Sequence, residues 1–190
     1  MRDRPLLPLW LALPVAVAGG AVLDLAFPDI GIWPLAFVGA AMTLVTLIGR
    51  SAWGAVAVGA AFAASFYLLH IAWITRYLGP VPWFALAGVE TVLNAVGAIA
   101  ITLAYRWLPK VLPDPWARVT ALPALVAAAW TAREQFVGSW PYTGFPWARL
   151  GMSQSDGPLA ELASWLGVSG LTFVMVFLTA AVIEAVRLRV

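Results

Sequence analysis

Apolar residues run along this chain in long blocks broken by short turn-forming clusters, with no sustained apolar–polar alternation of the kind that marks strands. An α-helix rising 1.5 Å per residue needs about 20 apolar residues to cross roughly 30 Å of hydrocarbon. Six blocks approach or reach that length, near residues 9–27, 32–48, 53–74, 83–107, 120–137 and 167–186. Their separators are turn chemistry: Pro28-Asp29-Ile30-Gly31, Gly49-Arg50-Ser51, Gly79-Pro80-Val81-Pro82, and 109–115 with a proline at each end. The pattern predicts an all-α fold, a polytopic helical membrane bundle of about six transmembrane helices.

Two details of the pattern go further. The third block carries small residues every fourth position, Ala55, Gly59, Ala63 and Ala57, Ala61, Ser65, which let a neighbouring helix approach closely, while Phe62, Phe66 and Leu69 take another face. One separator is long, 138–166, and loops of that length tend to be functional. It is rich in glycine, proline, tryptophan and hydroxyls, so it cannot be one continuous helix. After Gly157, Pro158 suits a first helical position and Leu159, Leu162 and Leu166 recur at helical spacing, which predicts a short interfacial helix leading into the sixth span.

Composition agrees. Hydrophobic residues make up 63% of the 190 and charged residues 11%, against about half and a quarter in soluble domains. An apolar excess of that size calls for lipid around the outer faces. Arg2 and Arg4 precede an apolar run with small residues at 16–21, as in a cleavable signal peptide, but the run continues to Phe27 and further blocks follow, which favours a retained first helix. Alternating topology puts Arg2, Arg4, Arg50, Arg106, Lys110, Arg118, Arg187 and Arg189 on one side, and Arg76, Arg133 and Arg149 on the other. The excess of positive charge predicts a cytoplasmic N-terminus and an extracytoplasmic long loop. Trp33, Trp73, Tyr77, Trp83, Trp140, Tyr142 and Trp147 then fall near the outer interface, and Trp107 and Trp116 near the inner one.

Several functions are disfavoured. The net charge is +2 with its basic residues scattered, so nothing suits a nucleic acid backbone. The absence of cysteine removes disulfides, thiolate metal sites and a cysteine nucleophile. No nucleophile elbow, zinc-helix motif, phosphate loop or carboxylate cluster of metal-ligand spacing occurs, so no catalytic residue, metal or cofactor is assigned. No internal repeat supports an inverted-repeat transporter.

Ionisable groups within spans are costly, so each carries two readings. Asp24 lies near the end of the first span, and Glu90, one turn from Asn94, lies about two turns into the fourth. They form either a polar floor to an outward cavity, with Arg76 or Arg133 as partner, or a structural pair between helices. His70, at the outer end of the third span, reads as a packing or hydrogen-bonding residue rather than a general base. The loop's aromatics with Arg149 suit either a site holding lipid chains beneath an anionic headgroup or an interfacial anchor without ligand.

Within that loop, Gly144-Phe145-Pro146-Trp147, Leu150-Gly151, Ser153-Gln154 and Asp156-Gly157-Pro158-Leu159 resemble the bacterial apolipoprotein N-acyltransferase family. Phe27-Pro28 with Gly31-Ile32-Trp33-Pro34, Ile71-Ala72-Trp73, and Glu134 with Gly138 extend the resemblance over nearly the whole chain. It implies a multi-pass protein of the bacterial plasma membrane and an acyltransferase. Such an enzyme moves an acyl chain from a membrane phospholipid, through a cysteine thioester, to the α-amino group of a diacylglyceryl-cysteine lipoprotein. It further implies that the Glu, Lys and Cys of a nitrilase-like extracytoplasmic domain are missing from these residues, so that 1–190 alone would be inactive. The chain's part would be to orient phospholipid donor and diacylated lipoprotein acceptor at an entrance shaped by Gly144, Phe145, Pro146 and Trp147, with Trp73, Arg149 and Gln154. A domain of this family also works beside a polyprenol phosphomannose synthase in some actinobacteria, which leaves a membrane anchor or scaffold for such a synthase as the alternative.

Overall fold

The computed structural model describes residues 4–188; Arg2 and Arg189 lie outside the described residues. The described residues are helical, with no strand among them. The long helices are α1 (Leu9–Asp24), α2 (Leu35–Leu47), α3 (Ala52–His70), α4 (Pro80–Val111), α5 (Ala121–Val137) and α6 (Leu162–Leu188). Among the described residues three of these, α3, α4 and α6, are long and apolar enough to cross a membrane, while α1 and α2 are shorter apolar helices.

Local chemistry sets the boundaries. Ser51 caps α3, its hydroxyl accepting from the Gly54 amide at 3.2 Å. Pro80, expected in a break, instead opens α4 from within its first turn, where a missing amide proton costs nothing. Pro109 is likewise accommodated in the last turn, so α4 runs to 32 residues, about 48 Å, beyond the expected segment. The loop also differs from expectation: residues 158–161 form turns, and helix resumes at Leu162 rather than at Pro158. At Gly167, with φ 69° and ψ 170°, α6 is interrupted, which separates a short segment from the long apolar helix that follows.

The six helices close into a ring, α1 on α2 and α3, α3 on α4, α4 on α5, α5 on α6, and α6 back on α2, with α2 also packing on α3. Small residues permit the tightest crossings. A Cβ on Gly20 of α1 would come 2.5 Å from the Phe62 carbonyl oxygen of α3, and one on Gly59 of α3 would come 2.7 Å from the Ala98 Cβ of α4. Gly59 belongs to the small-residue series singled out above. Phe62 and Phe66 fill the core with Trp130 of α5, whereas Leu69 is half exposed.

The ring has two unlike ends. One holds the start of α1, the α2–α3 turn and the α4–α5 connection with its one-turn helix Pro115–Val119, and there Arg4, Arg50, Arg106, Lys110, Arg118 and Arg187 collect. The other, the loop end, holds the α1–α2 turn, the short helical turns Ala72–Ile74 and Thr75–Leu78, and residues 138–161.

Candidate functional site at the loop end

The long loop is folded against the bundle by a small set of polar contacts. Glu134, one turn before the end of α5, is the clamp: its Oε1 accepts from Trp130 Nε1 at 2.8 Å and from the Leu150 amide at 3.1 Å. Its Oε2 accepts from the Thr172 hydroxyl of α6 at 3.1 Å, and Thr172 accepts in turn from the Gly151 amide at 2.9 Å. Gln154, wholly buried, donates to the Trp33 carbonyl at 3.3 Å and to Ser153 at 3.1 Å, which joins the loop to the α1–α2 turn. Two one-turn 3-10 segments, Pro146–Ala148 and Leu150–Gln154, fill the interval. Gly144, at φ 75°, lies so close to the backbone of Gly138 and Ser139 that a Cβ would come within 2.2 Å of it.

Beside this folded loop is a cavity of about 440 Å3, within the usual range for small-ligand sites. Trp147 and Met152 of the loop form one wall and Leu69, His70 and Trp73 at the end of α3 another. Asp24 at the end of α1, with Phe27 and Asp29 of the following turn, completes it. His70 Nδ1 lies 3.0 Å from Asp24 Oδ1. The imidazole is stacked on Phe66 (centroids 4.9 Å apart, planes at 14°) and tilted against Phe27 at 4.3 Å. The imidazole is therefore held by two aromatic neighbours, themselves in contact with each other, and by one hydrogen bond. His70 takes the place beside Asp24 that the charge pattern had suggested for Arg76 or Arg133.

The residues assigned to the entrance divide in two. Trp73 and Trp147 meet in the cavity. Gly144, Phe145, Pro146 and Gln154 support the loop: Phe145 packs on the core, Pro146 opens a helical turn, and Gln154 ties down the end. Arg149 points elsewhere, its guanidinium close enough to Gly138 that a Cβ there would meet Nη2 at 2.7 Å. Glu90 is buried on α4 with Oε2 unpartnered, near Asn94, which donates to the Glu90 carbonyl at 2.9 Å and to the Tyr67 hydroxyl at 3.3 Å. Arg133 lies over the Trp130 ring at 4.3 Å, within electrostatic reach of Glu90 and Glu134. None of these inner groups lines the cavity. The Asp24–His70 pairing was not read from the sequence, although both residues are last in helices that end on the same side. Among the described residues no group of three or more His, Cys, Asp or Glu is arranged to hold a metal ion.

Comparison with known proteins gives this arrangement a context. Residues 19–181 match the family model described as the apolipoprotein N-acyltransferase N-terminal domain. The chain is 34% identical over 190 residues to the apolipoprotein N-acyltransferase of Azotobacter vinelandii, covering 95% of this chain and 35% of that protein. It is 34% identical over 189 residues to that of Pseudomonas putida (96% and 36%), and 30% identical over 172 residues to that of Haemophilus ducreyi (88% and 32%). The chain thus spans about a third of the length of the curated relatives it matches. With most of its length matched to the N-terminal domain, this chain belongs to the apolipoprotein N-acyltransferase family.

Proposed function

We propose that this chain is the membrane part of an enzyme that N-acylates lipoproteins, and that its loop end orients the two lipid substrates. In this reading all six helices span the bilayer of a bacterial plasma membrane, the shorter ones completed at the interface by their flanking turns, with the N-terminus cytoplasmic and residues 138–161 extracytoplasmic. The single observation that carries it is the cavity in which Trp147 and Met152 of the clamped loop face Trp73 and the Asp24–His70 pair. A cavity lined by both tryptophan rings and the polar Asp24–His70 pair, at the end of the bundle, suits a molecule with acyl chains in the bilayer and a polar headgroup at its surface.

The chemistry would lie in a nitrilase-like domain outside these residues, where a cysteine thioester splits one difficult transfer into two easier ones. The contribution of 1–190 would be positioning, which can supply several powers of ten in rate. The test is a chimera in which this chain replaces the matching third of the Azotobacter vinelandii enzyme, expressed in cells depleted of their own. Mass spectrometry of a lipoprotein N-terminus should find it triacylated with the chimera and diacylated with residues 1–190 alone. A chimera that inserts and folds yet leaves the lipoprotein diacylated contradicts the proposal.

A further inference from the structure

Where the ring closes between α2 and α6 it leaves a groove of about 520 Å3, far from the loop-end cavity. Val38, Ala41 and Val45 of α2 form one bank, and Leu178, Val182 and Ile183 of α6 the other. Thr179, which also lines it, turns its hydroxyl to the Met175 carbonyl at 2.8 Å, so the groove presents apolar surface. Both helices run from the loop end towards the opposite end, and both lead to an arginine. Arg187 lies one turn beyond Ile183 on the same face of α6, about 6 Å further by helical rise, and Arg50 follows just past the end of α2.

Charge at this mouth is one-sided. Among the described residues, Arg4, Arg50, Arg106, Lys110, Arg118 and Arg187 collect there against Asp114 and Glu184. Glu184 is shared by Arg118 and Arg187, so that trio keeps one positive charge in excess, and Arg50 gives its guanidinium to carbonyl oxygens, which do not neutralise it. Donors are in surplus too. Arg118 Nε and the hydroxyl of Tyr105 have no hydrogen-bond partner among the described residues, and Tyr105, 5% exposed, is within electrostatic reach of Glu184 and Arg187. Of the two arginines on Glu184, Arg187 reaches further outward, with 28% of its side chain exposed against 15% for Arg118. An apolar groove that ends at a guanidinium with surplus positive charge suits an acyl chain with a phosphate diester at its head. A partner helix would fill the groove without answering the charge, and a free anion would leave the groove uncovered.

We propose that the α2–α6 groove binds one acyl chain of an anionic phospholipid whose phosphate rests on Arg187. In the topology proposed above this is a lipid of the cytoplasmic leaflet, a fixed neighbour of the bundle and not a substrate, since it sits at the end remote from the loop. The proposal rests on the reading of the six helices as spans, but not on acyl transfer.

The test is native mass spectrometry of the purified chain in an uncharged detergent, titrated with phosphatidylglycerol, with phosphatidylcholine of the same acyl chains, or with inorganic phosphate. Phosphatidylglycerol binds about tenfold tighter or more than phosphatidylcholine, as one charge-assisted contact requires, and inorganic phosphate does not compete with it. Arg187→Gln brings the two lipids within about twofold of each other. Val38→Trp fills the groove from its exposed rim without touching a charge, and weakens phosphatidylglycerol about tenfold; the thermal midpoint confirms that each variant is folded. Equal binding of the two lipids by the unaltered chain, competition by inorganic phosphate, or phosphatidylglycerol binding untouched by Val38→Trp each overturns the groove site and leaves the spans standing. Failure of both phospholipids to bind overturns both. Should Arg187→Gln not fold, the lipid comparison and Val38→Trp still decide, because neither disturbs the arginine cluster.

Discussion

Each end of the bundle closes off a glutamate, Glu134 at the loop end and Glu184 at the other, but at the loop end a second carboxylate and a histidine are also left open to a cavity. At the end where α1 begins, Glu184 is fully buried and both oxygens are engaged, by Arg118 Nη2 at 2.8 Å and by Arg187 one turn later on α6. Arg50, 4% exposed, gives its guanidinium to the Thr46 carbonyl and, at 2.7 Å, to the Leu7 carbonyl, so the segment before α1 is tied to the α2–α3 turn. At the loop end Asp24 and His70 pair with each other, yet retain 24% and 14% of their side-chain exposure and border a cavity. Polarity that is closed off holds helices together, whereas polarity left open to a cavity is available to a ligand.

Breaking the closed end should have the largest effect. Glu184→Ala removes a buried carboxylate that engages two arginines, and because both arginines still reach water the loss of stability should be about 3 kcal/mol, the lower end for a buried ion pair. The measurement is the thermal midpoint in detergent against the unaltered chain; a midpoint unchanged by the loss of Glu184 would mean that this cluster is not what fastens the α4–α5 connection to α6. A smaller effect is expected at the clamp. Glu134→Ala removes the acceptor for Trp130, Leu150 and Thr172, worth about 2 to 3 kcal/mol, and should release the loop before the bundle melts. Limited proteolysis should then cut within residues 138–161 while the helices stay intact, and simultaneous loss of both would show that the loop is not separately held.

Much of this contrast was legible in the chain. The helices stand out because apolar runs are bounded by turn clusters, and the positive φ at Gly167 sits where the sixth apolar block was expected to begin. Gly59 finds a close neighbour in α4, as small residues at four-residue spacing suggested. Clamp and cavity were not legible as such. Glu134 drew notice only through the family resemblance, and Asp24 and His70 lie 46 residues apart on helices that are apolar all round. In a lipid-facing helix both faces are apolar, so the usual stripe that reveals how a helix is rotated, and which side chains meet across an interface, is missing. Proline misled for a related reason: Pro80 and Pro109 read as breakers, yet at the first and last turns of α4 they disturb little of the hydrogen-bond ladder.

The contrast can also be tested with matched substitutions, because each end exposes a pair of tryptophans. Trp73 and Trp147, 46% and 60% exposed, border the loop-end cavity, while Trp107 and Trp116, 59% and 72% exposed, lie at the opposite end. Surface substitutions of this kind move stability by about 0.5 kcal/mol each, so either double alanine variant should stay folded. The decisive measurement is the rate of lipoprotein N-acylation by the chimera carrying each pair. Trp73→Ala with Trp147→Ala should slow transfer by about tenfold or more through lost positioning of substrate, while Trp107→Ala with Trp116→Ala should leave it within about twofold. Equal losses from the two pairs, or a greater loss from the second, would contradict the assignment of substrate handling to the loop end.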